Sequence, residues 1–193
     1  MLVRTAEYGI GESVSTDDGK TWTEVSDYQK HATTRFTLMK LKSGNLLLIR
    51  NGPLDVRGPR DRMTAYLSTD DGASWSGGLL LDERGTSYPD ATQAPDGTVY
   101  AVYDQDRGGE KRILMAAFTE EDILGGTFSS PDARAKVLVN QAFGDNPVKG
   151  RIGEGPEPRI DSAAAEPVTD RPRAGLDPVT NQIQRIPVAA NYV

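Results

Sequence analysis

There is no cysteine among the 193 residues, so neither disulfides nor thiolate chemistry contribute to this protein, and the redox compartment stays open. Histidine occurs once, as His31. A lone histidine in a polar connection reads as a solvated or capping residue before it reads as a base or ligand. With one His, no Cys and no D-x-D-x-D-G calcium-loop spacing, no metal site is expected, and no glycine-rich nucleotide loop calls for a cofactor. Positive charge is in deficit, with 22 Lys and Arg against 28 Asp and Glu for a net charge of −6. That balance gives no general attraction to nucleic acid or anionic membrane. No apolar run approaches the roughly 18 residues of a membrane span. Met1-Leu2-Val3-Arg4-Thr5 leads into no apolar h-region, so the N-terminus reads as a strand under way rather than a signal peptide.

What the chain has is turns. It carries 20 Gly and 12 Pro with few helix-favouring runs, the composition of an all-β protein. One turn occurs twice: Ser15-Thr16-Asp17-Asp18-Gly19-Lys20-Thr21-Trp22 and, 53 residues later, Ser68-Thr69-Asp70-Asp71-Gly72-Ala73-Ser74-Trp75. Both read S-x-D-D-G-x-[ST]-W, and repetition at that period marks a repeat architecture. The first aspartate can accept backbone N–H bonds, the glycine supplies positive φ, and the tryptophan offers an apolar plate between sheets. Asp17, Gly19, Trp22, Asp70, Gly72 and Trp75 are therefore expected to serve the fold, each within its own repeat.

Alternation and turn residues place strands over 1–8 and 10–16, joined at Tyr8-Gly9, and a short one at Thr23 to Val25. Ser26 to Ala32 reads as a polar connection. Arg35 to Leu41, Leu46 to Ile49, Met63 to Leu67 and Gly78 to Asp82 then give four strands in one unit. An Arg-, Gly- and Pro-rich loop over Asn51 to Asp61 interrupts them. A further unit comprises Ser87 to Gln93, Thr98 to Tyr103, Arg112 to Phe118 and Ala135 to Val139. At the third turn site stands Thr119-Glu120-Glu121-Asp122, without Gly or Trp, and 119–124 reads as a short helical turn. From Asp145 to Val193 the character changes: seven of the twelve prolines, one aromatic and no periodicity, as in an extended tail. The expected domains are 1–144 and a Pro-rich irregular segment 145–193.

The twin turns resemble the Asp-box (BNR) repeat of sialidase-like β-propellers. The resemblance implies a propeller of sialidase type, with about three four-stranded blades in 1–144 forming a partial ring. It is similar to the C-terminal half of such a propeller. The remaining blades would then come from a preceding N-terminal half or from a second copy in a homo-oligomer. It also implies a glycan with an acidic terminal sugar as partner, and secretion or a periplasmic location for a full-length family member.

The resemblance extends to site residues. Arg35 to Leu41, Ser43-Gly44, Leu46 to Ile49 and Arg50 reproduce the frame of a sialidase catalytic blade, matching Arg50 to one arginine of the triad that grips the substrate carboxylate. Arg35 stands where that frame has a glutamate. Gly58 to Leu67 looks like the segment bearing another triad arginine, which points to Arg60, with Arg57 and Arg62 as competitors. Ser87-Tyr88-Pro89-Asp90 is similar to the segment carrying the tyrosine nucleophile, and Asp104, sixteen residues on, occupies the place of the carboxylate that steadies the arginines.

Chemistry independent of the resemblance agrees in part. Guanidinium groups present paired planar donors and hold their charge at any working pH, so they suit a carboxylate ligand. Arg50, Arg57, Arg60 and Arg62 fall within thirteen residues of an acidic chain. The plainer reading is a solvated loop paired with Asp55 and Asp61, and for Tyr88 a strand-start residue packed at a blade edge. A phenol titrates near 10, so a nucleophilic tyrosine needs a base or a strong positive field. Arginine can supply the field but cannot accept the proton. Two functions stay open: a sialidase-like glycoside hydrolase or a fragment of one, and a non-catalytic carbohydrate-binding or scaffold propeller lacking the glutamate. A protein-interaction propeller forms a third class with no motif behind it.

Overall fold

A computed structural model describes residues 1–142, and the Pro-rich segment 145–193 lies outside the described residues. The described part is all-β with one short helix, arranged as three antiparallel sheets. The first sheet holds β1 (Leu2–Arg4), β2 (Gly9–Glu12) and β3 (Ser26–Lys30). The second holds β4 (Thr37–Lys40), β5 (Leu46–Asn51), β6 (Met63–Ser68) and β7 (Ser76–Asp82) in sequence order. The third holds β8 (Thr86–Gln93), β9 (Val99–Gln105), β10 (Arg112–Phe118) and β11 (Arg134–Gln141), with helix α1 (Glu120–Gly125) between its last two strands. Consecutive four-stranded meanders of this kind are propeller blades.

The first sheet departs from expectation. It has three strands, and Thr5 closes its first hairpin early: the hydroxyl accepts from Gly9 N at 3.1 Å and the N–H donates to Gly9 O at 2.9 Å. The third strand is Ser26–Lys30, not Thr23 to Val25, with Glu12 opposite Ser26. That segment is polar because it meets its neighbour through hydrogen bonds rather than apolar packing. Gln29 and Lys30 accept from Arg50, and Tyr28 reaches the second Asp box. Strands β1 and β2 in the first sheet occupy the places that β5 and β6 hold in the second, so the counterpart of β4 is missing among the described residues.

The second sheet is buried on both faces, and every residue of β6 is buried. Its Leu47, Ile49, Ala65, Leu67, Leu79 and Leu81 pack on Val99, Ala101, Tyr103, Leu114 and Phe118 of the third sheet, which is the main core. Burying side chains of this size contributes about 1.5–3 kcal/mol each.

The two boxes have the same internal geometry. In the first, Ser15 Oγ donates to Asp17 at 2.8 Å and accepts from Gly19 N at 2.9 Å, while Thr21 N and Oγ1 reach the two carboxylate oxygens at 2.9 and 2.6 Å. In the second, Ser68, Asp70, Gly72 and Ser74 repeat those bonds at 2.8, 2.9, 2.8 and 2.5 Å. Gly19 and Gly72 have φ of 83° and 94°, which explains the invariant glycine of the two copies. Hydrogen bonds from Thr21 and from Ser74 bring the pKa of Asp17 and of Asp70 down to about 2.

The third turn solves the same problem differently. Thr119 caps α1 in a reciprocal capping box with Asp122. Asp122, fully buried, also accepts from Ser129 N at 2.7 Å and Ser130 N at 2.9 Å. Burial opposes its ionisation, but these N–H donors outweigh that and hold the carboxyl well below the usual range. The helix seats on β7 at Gly77, where an added Cβ would lie 2.4 Å from Ile123 O at a φ of +76°.

Candidate functional site

Antiparallel register puts both boxes and α1 at one end of the sheets, joining β2 to β3, β6 to β7 and β10 to β11. The opposite end collects the first hairpin bend, the segment 31–36, the long loop 52–62, the start of β8 and the β9–β10 turn. Every residue singled out for chemistry lies at this loop end.

Tyr88 sits in a bulge of β8, where pairing with β9 skips from Ser87–Asp104 to Asp90–Val102. Its φ is +53°, a left-handed conformation uncommon for an aromatic residue, and its side chain is 42% exposed. The bulge turns the phenol out of the sheet. Arg107, in the β9–β10 turn, stacks over it with Cζ 4.3 Å from the ring centroid. Asp104 holds Arg107 in a salt bridge, accepting from Nε at 2.8 Å and from Nη2. Hydrogen bonding and charge from Arg107, then from Arg4 at the end of β1, lower the phenol's pKa below its ordinary value. Thr37 Oγ1 donates to Pro89 O at 2.5 Å, so the segments carrying Arg35 and Tyr88 run side by side.

The arginines divide. Arg60 is exposed, with Nη2 donating to Thr33 O at 2.8 Å and its own carbonyl accepting from Thr86 N. Arg35, also exposed, precedes β4. Arg57 holds the first hairpin bend through Glu7 O and Ala6 O at 2.7 and 3.0 Å. Arg50 is enclosed, at 0% exposure. Its guanidinium donates to Gln29 Oε1 at 2.7 Å, Lys30 O at 2.8 Å, Asn51 O at 3.2 Å and Val56 O at 3.3 Å. Burial brings its pKa down to about 10, which leaves it charged at neutral pH. The expectation that Arg50 grips substrate therefore meets a correction: here it ties the second sheet to the first, because four carbonyl-type acceptors surround the head group. The solvated-loop reading fails for the same residue.

His31 is also corrected. It is fully buried rather than solvated, lies edge-on to Phe36, and neither ring nitrogen has a hydrogen-bond partner among the described residues. Desolvation, then the nearby charge of Arg50, bring its pKa down to about 3, so the imidazole is neutral. Asn51 Oδ1, Thr34 Oγ1 and Gln105 Oε1 are likewise buried and unpartnered at this end. Among the described residues no group of three His, Asp or Glu is placed to hold a metal ion.

Arg107 and Arg4 were not identified from sequence. The only signal for Arg107 was its position three residues after Asp104 within a turn. Arg4 gave none, since its proximity to Tyr88 depends on how the first sheet docks. Chemically, the assembled group can hold an anion and favour a phenolate. Comparison with curated proteins finds no match. The model of the BNR repeat-like domain matches residues 1–101, a span containing both boxes, the first two sheets and Tyr88. With more than half of its length matched and its turns built as the repeat requires, the chain belongs to the BNR repeat-like family, within a sialidase-like superfamily of β-propellers.

Proposed function

We propose that the loop end of the sheets binds the carboxylate of an acidic terminal sugar, in the manner of a sialidase-like propeller. The observation that carries this reading is the exposed Tyr88 phenol stacked under Arg107, with Asp104 bracing that guanidinium and Arg4 adding positive charge. In an acidic chain this gathers positive charge where the β8 bulge meets the β9–β10 turn. Arg60 and Arg35 lie on the adjoining segments and would extend it.

Glycoside hydrolysis is the fuller form of the same reading. The Tyr88 phenolate would form a bond to the anomeric carbon as the glycosidic C–O bond breaks, the leaving oxygen taking a proton from solvent, and water would then cleave the tyrosyl–sugar bond, giving the free sugar and the phenol. The lowered phenol pKa favours it. A binding-only role is favoured by Arg35, which stands where sialidases have a glutamate and cannot take the phenol's proton.

One paired measurement separates them. Binding of N-acetylneuraminic acid by calorimetry and turnover of a fluorogenic sialoside are compared for the parent, Tyr88→Phe, Arg60→Ala and Arg107→Ala. The two arginine variants should each weaken binding about tenfold or more, a loss of about 1.4 kcal/mol. Tyr88→Phe should spare binding, and it should abolish turnover if the site hydrolyses. Unchanged affinity in both arginine variants would sink the acidic-sugar reading.

A further inference from the structure

The loop end carries a polar side chain where the pattern of the sheet calls for an apolar one. In β5, Leu47 and Ile49 enter the core shared with the third sheet, and period-two alternation puts Asn51 on that same face. Asn51 is buried, and its Nδ2 donates to two carbonyls, Asp61 O at 3.2 Å and Thr86 O at 3.1 Å. Those acceptors fix which way the amide faces, since the flipped amide would set its oxygen against both of them. Oδ1 is then a buried acceptor with no donor among the described residues. An unpaired buried acceptor costs about 1–3 kcal/mol. A leucine would continue the run of Leu47 and Ile49 without that cost, so the amide is explained by what its two donors join.

Both acceptors belong to segments that carry the loop-end group. Asp61 follows Arg60 in the loop 52–62, and its carbonyl also accepts from Gly52 N at 3.1 Å, which closes the neck of the loop. Thr86 opens β8 two residues before Tyr88 and stands opposite Gln105, the neighbour of Asp104. A third bond completes the junction, with Thr86 N donating to Arg60 O at 3.2 Å. Asn51, Thr86 and the Arg60–Asp61 backbone thus form a closed cycle of three hydrogen bonds. One side chain makes two of the three, and it stands on a strand whose Leu47, Leu48, Ile49 and Arg50 are all at 0% exposure.

We propose that Asn51 is a positioning residue for the loop-end group, setting the backbone under Arg60 against the start of the strand that carries Tyr88. What the group binds rests on the acidic-sugar reading, whereas the junction itself does not. Asn51 acts through its two acceptors. Release of Thr86 would let the β8 bulge, and with it the Tyr88 ring, move away from Arg107. Release of Asp61 would free the segment that presents Arg60.

The test uses the full chain with Asn51→Leu, which removes both donors and the orphaned oxygen, and with Asn51→Ala, which removes them without adding bulk. Ultraviolet titration of the phenol, taken as the difference from the same chain carrying Tyr88→Phe, reads the pairing of Tyr88 with Arg107 with no sugar present. The phenol titrates below its ordinary value in the parent and should move up towards about 10 in both variants. N-acetylneuraminic acid should bind each variant about tenfold more weakly. Asn51→Leu combined with Arg60→Ala should lose less than about the hundredfold that two independent losses would give. In the parent, the Asn51 side-chain amide protons should exchange with solvent on the order of a hundredfold more slowly than those of an exposed asparagine. Free exchange of those protons overturns the proposal whether or not the variants fold. So does a parental Tyr88 titration in either variant once far-UV circular dichroism shows it folded, since a loss of stability alone would make Asn51 a purely structural residue. A parent that binds no acidic sugar removes the acidic-sugar reading, and the titration then decides for Asn51 by itself.

Discussion

The two ends of the sheets are built from the same residue types to opposite effect. At the turn end one carboxylate in each turn is saturated by donors from that turn: Asp17 by Ser15 and Thr21, Asp70 by Ser68 and Ser74, Asp122 by Thr119, Ser129 and Ser130. At the loop end a strained tyrosine is exposed under an arginine, and His31, Thr34, Asn51 and Gln105 carry buried polar atoms with no partner among the described residues. Satisfied polar groups lower the energy of the fold, whereas unsatisfied ones and strain raise it. The turn end therefore stabilises what the loop end costs. That asymmetry is the expected one for a repeat scaffold that carries its function on one rim.

The largest effect is expected from stripping a turn of its carboxylate. Asp122→Ala should cost about 3 kcal/mol, because Ser129 N and Ser130 N lose their acceptor inside a buried turn. Urea unfolding measures it. A loss below about 1 kcal/mol would mean that water replaces the carboxylate and that the capping box is dispensable.

A smaller effect separates the twin boxes. Their internal bonds agree closely, yet Trp75 reaches Tyr28 across a sheet boundary and Trp22 reaches only its own turn. Trp75→Ala should cost about 2 kcal/mol and Trp22→Ala less than about 1 kcal/mol, read by thermal melts of dilute protein. Equal losses would show that each tryptophan acts within its turn and that docking contributes little.

How far the sequence disclosed all this follows from what each residue reports about itself. The strands of the second and third sheets were legible because apolar alternation and Gly-containing turns are local signals, and the twin boxes were legible because they repeat. Strand β3 was not, since Ser26–Lys30 buries Gln29 through a hydrogen bond to Arg50 and carries no apolar stripe. The helix start at Thr119 was legible as a short helical turn, whereas the role of Asp122 depends on Ser129 and Ser130 folding back onto it. At the loop end Tyr88 and Asp104 could be named from a motif, but their link through Arg107 depends on the β8 bulge and the register of β9. Arg50 misled for a general reason. An arginine in a polar cluster reads as solvated or ligand-binding, and only tertiary contacts reveal that carbonyl oxygens of another sheet enclose it.

The loop end offers the smallest effect at neutral pH and the clearest sign. His31 has its pKa lowered from 6.5 to about 3 by burial and by Arg50, so between those values the unfolded chain takes up a proton that the folded chain refuses. Stability from this group is intact above about pH 6.5 and falls as the pH drops towards 3, by up to a few kcal/mol. His31→Leu should stay within about 1 kcal/mol of the parent at pH 7.5, since an apolar side chain of similar size replaces a neutral ring with no hydrogen bonds to lose. The same variant should lose the slope of stability against pH between 6.5 and 4, measured by urea unfolding at each pH. If the slope persists unchanged, the imidazole is reached by water or by a carboxylate on opening, and the loop end is less closed than the turn end by a wider margin than the buried atoms imply. If the variant is instead several kcal/mol less stable at pH 7.5, the ring has a bound water as partner, and the loop end meets the same rule of satisfied polar groups as the boxes.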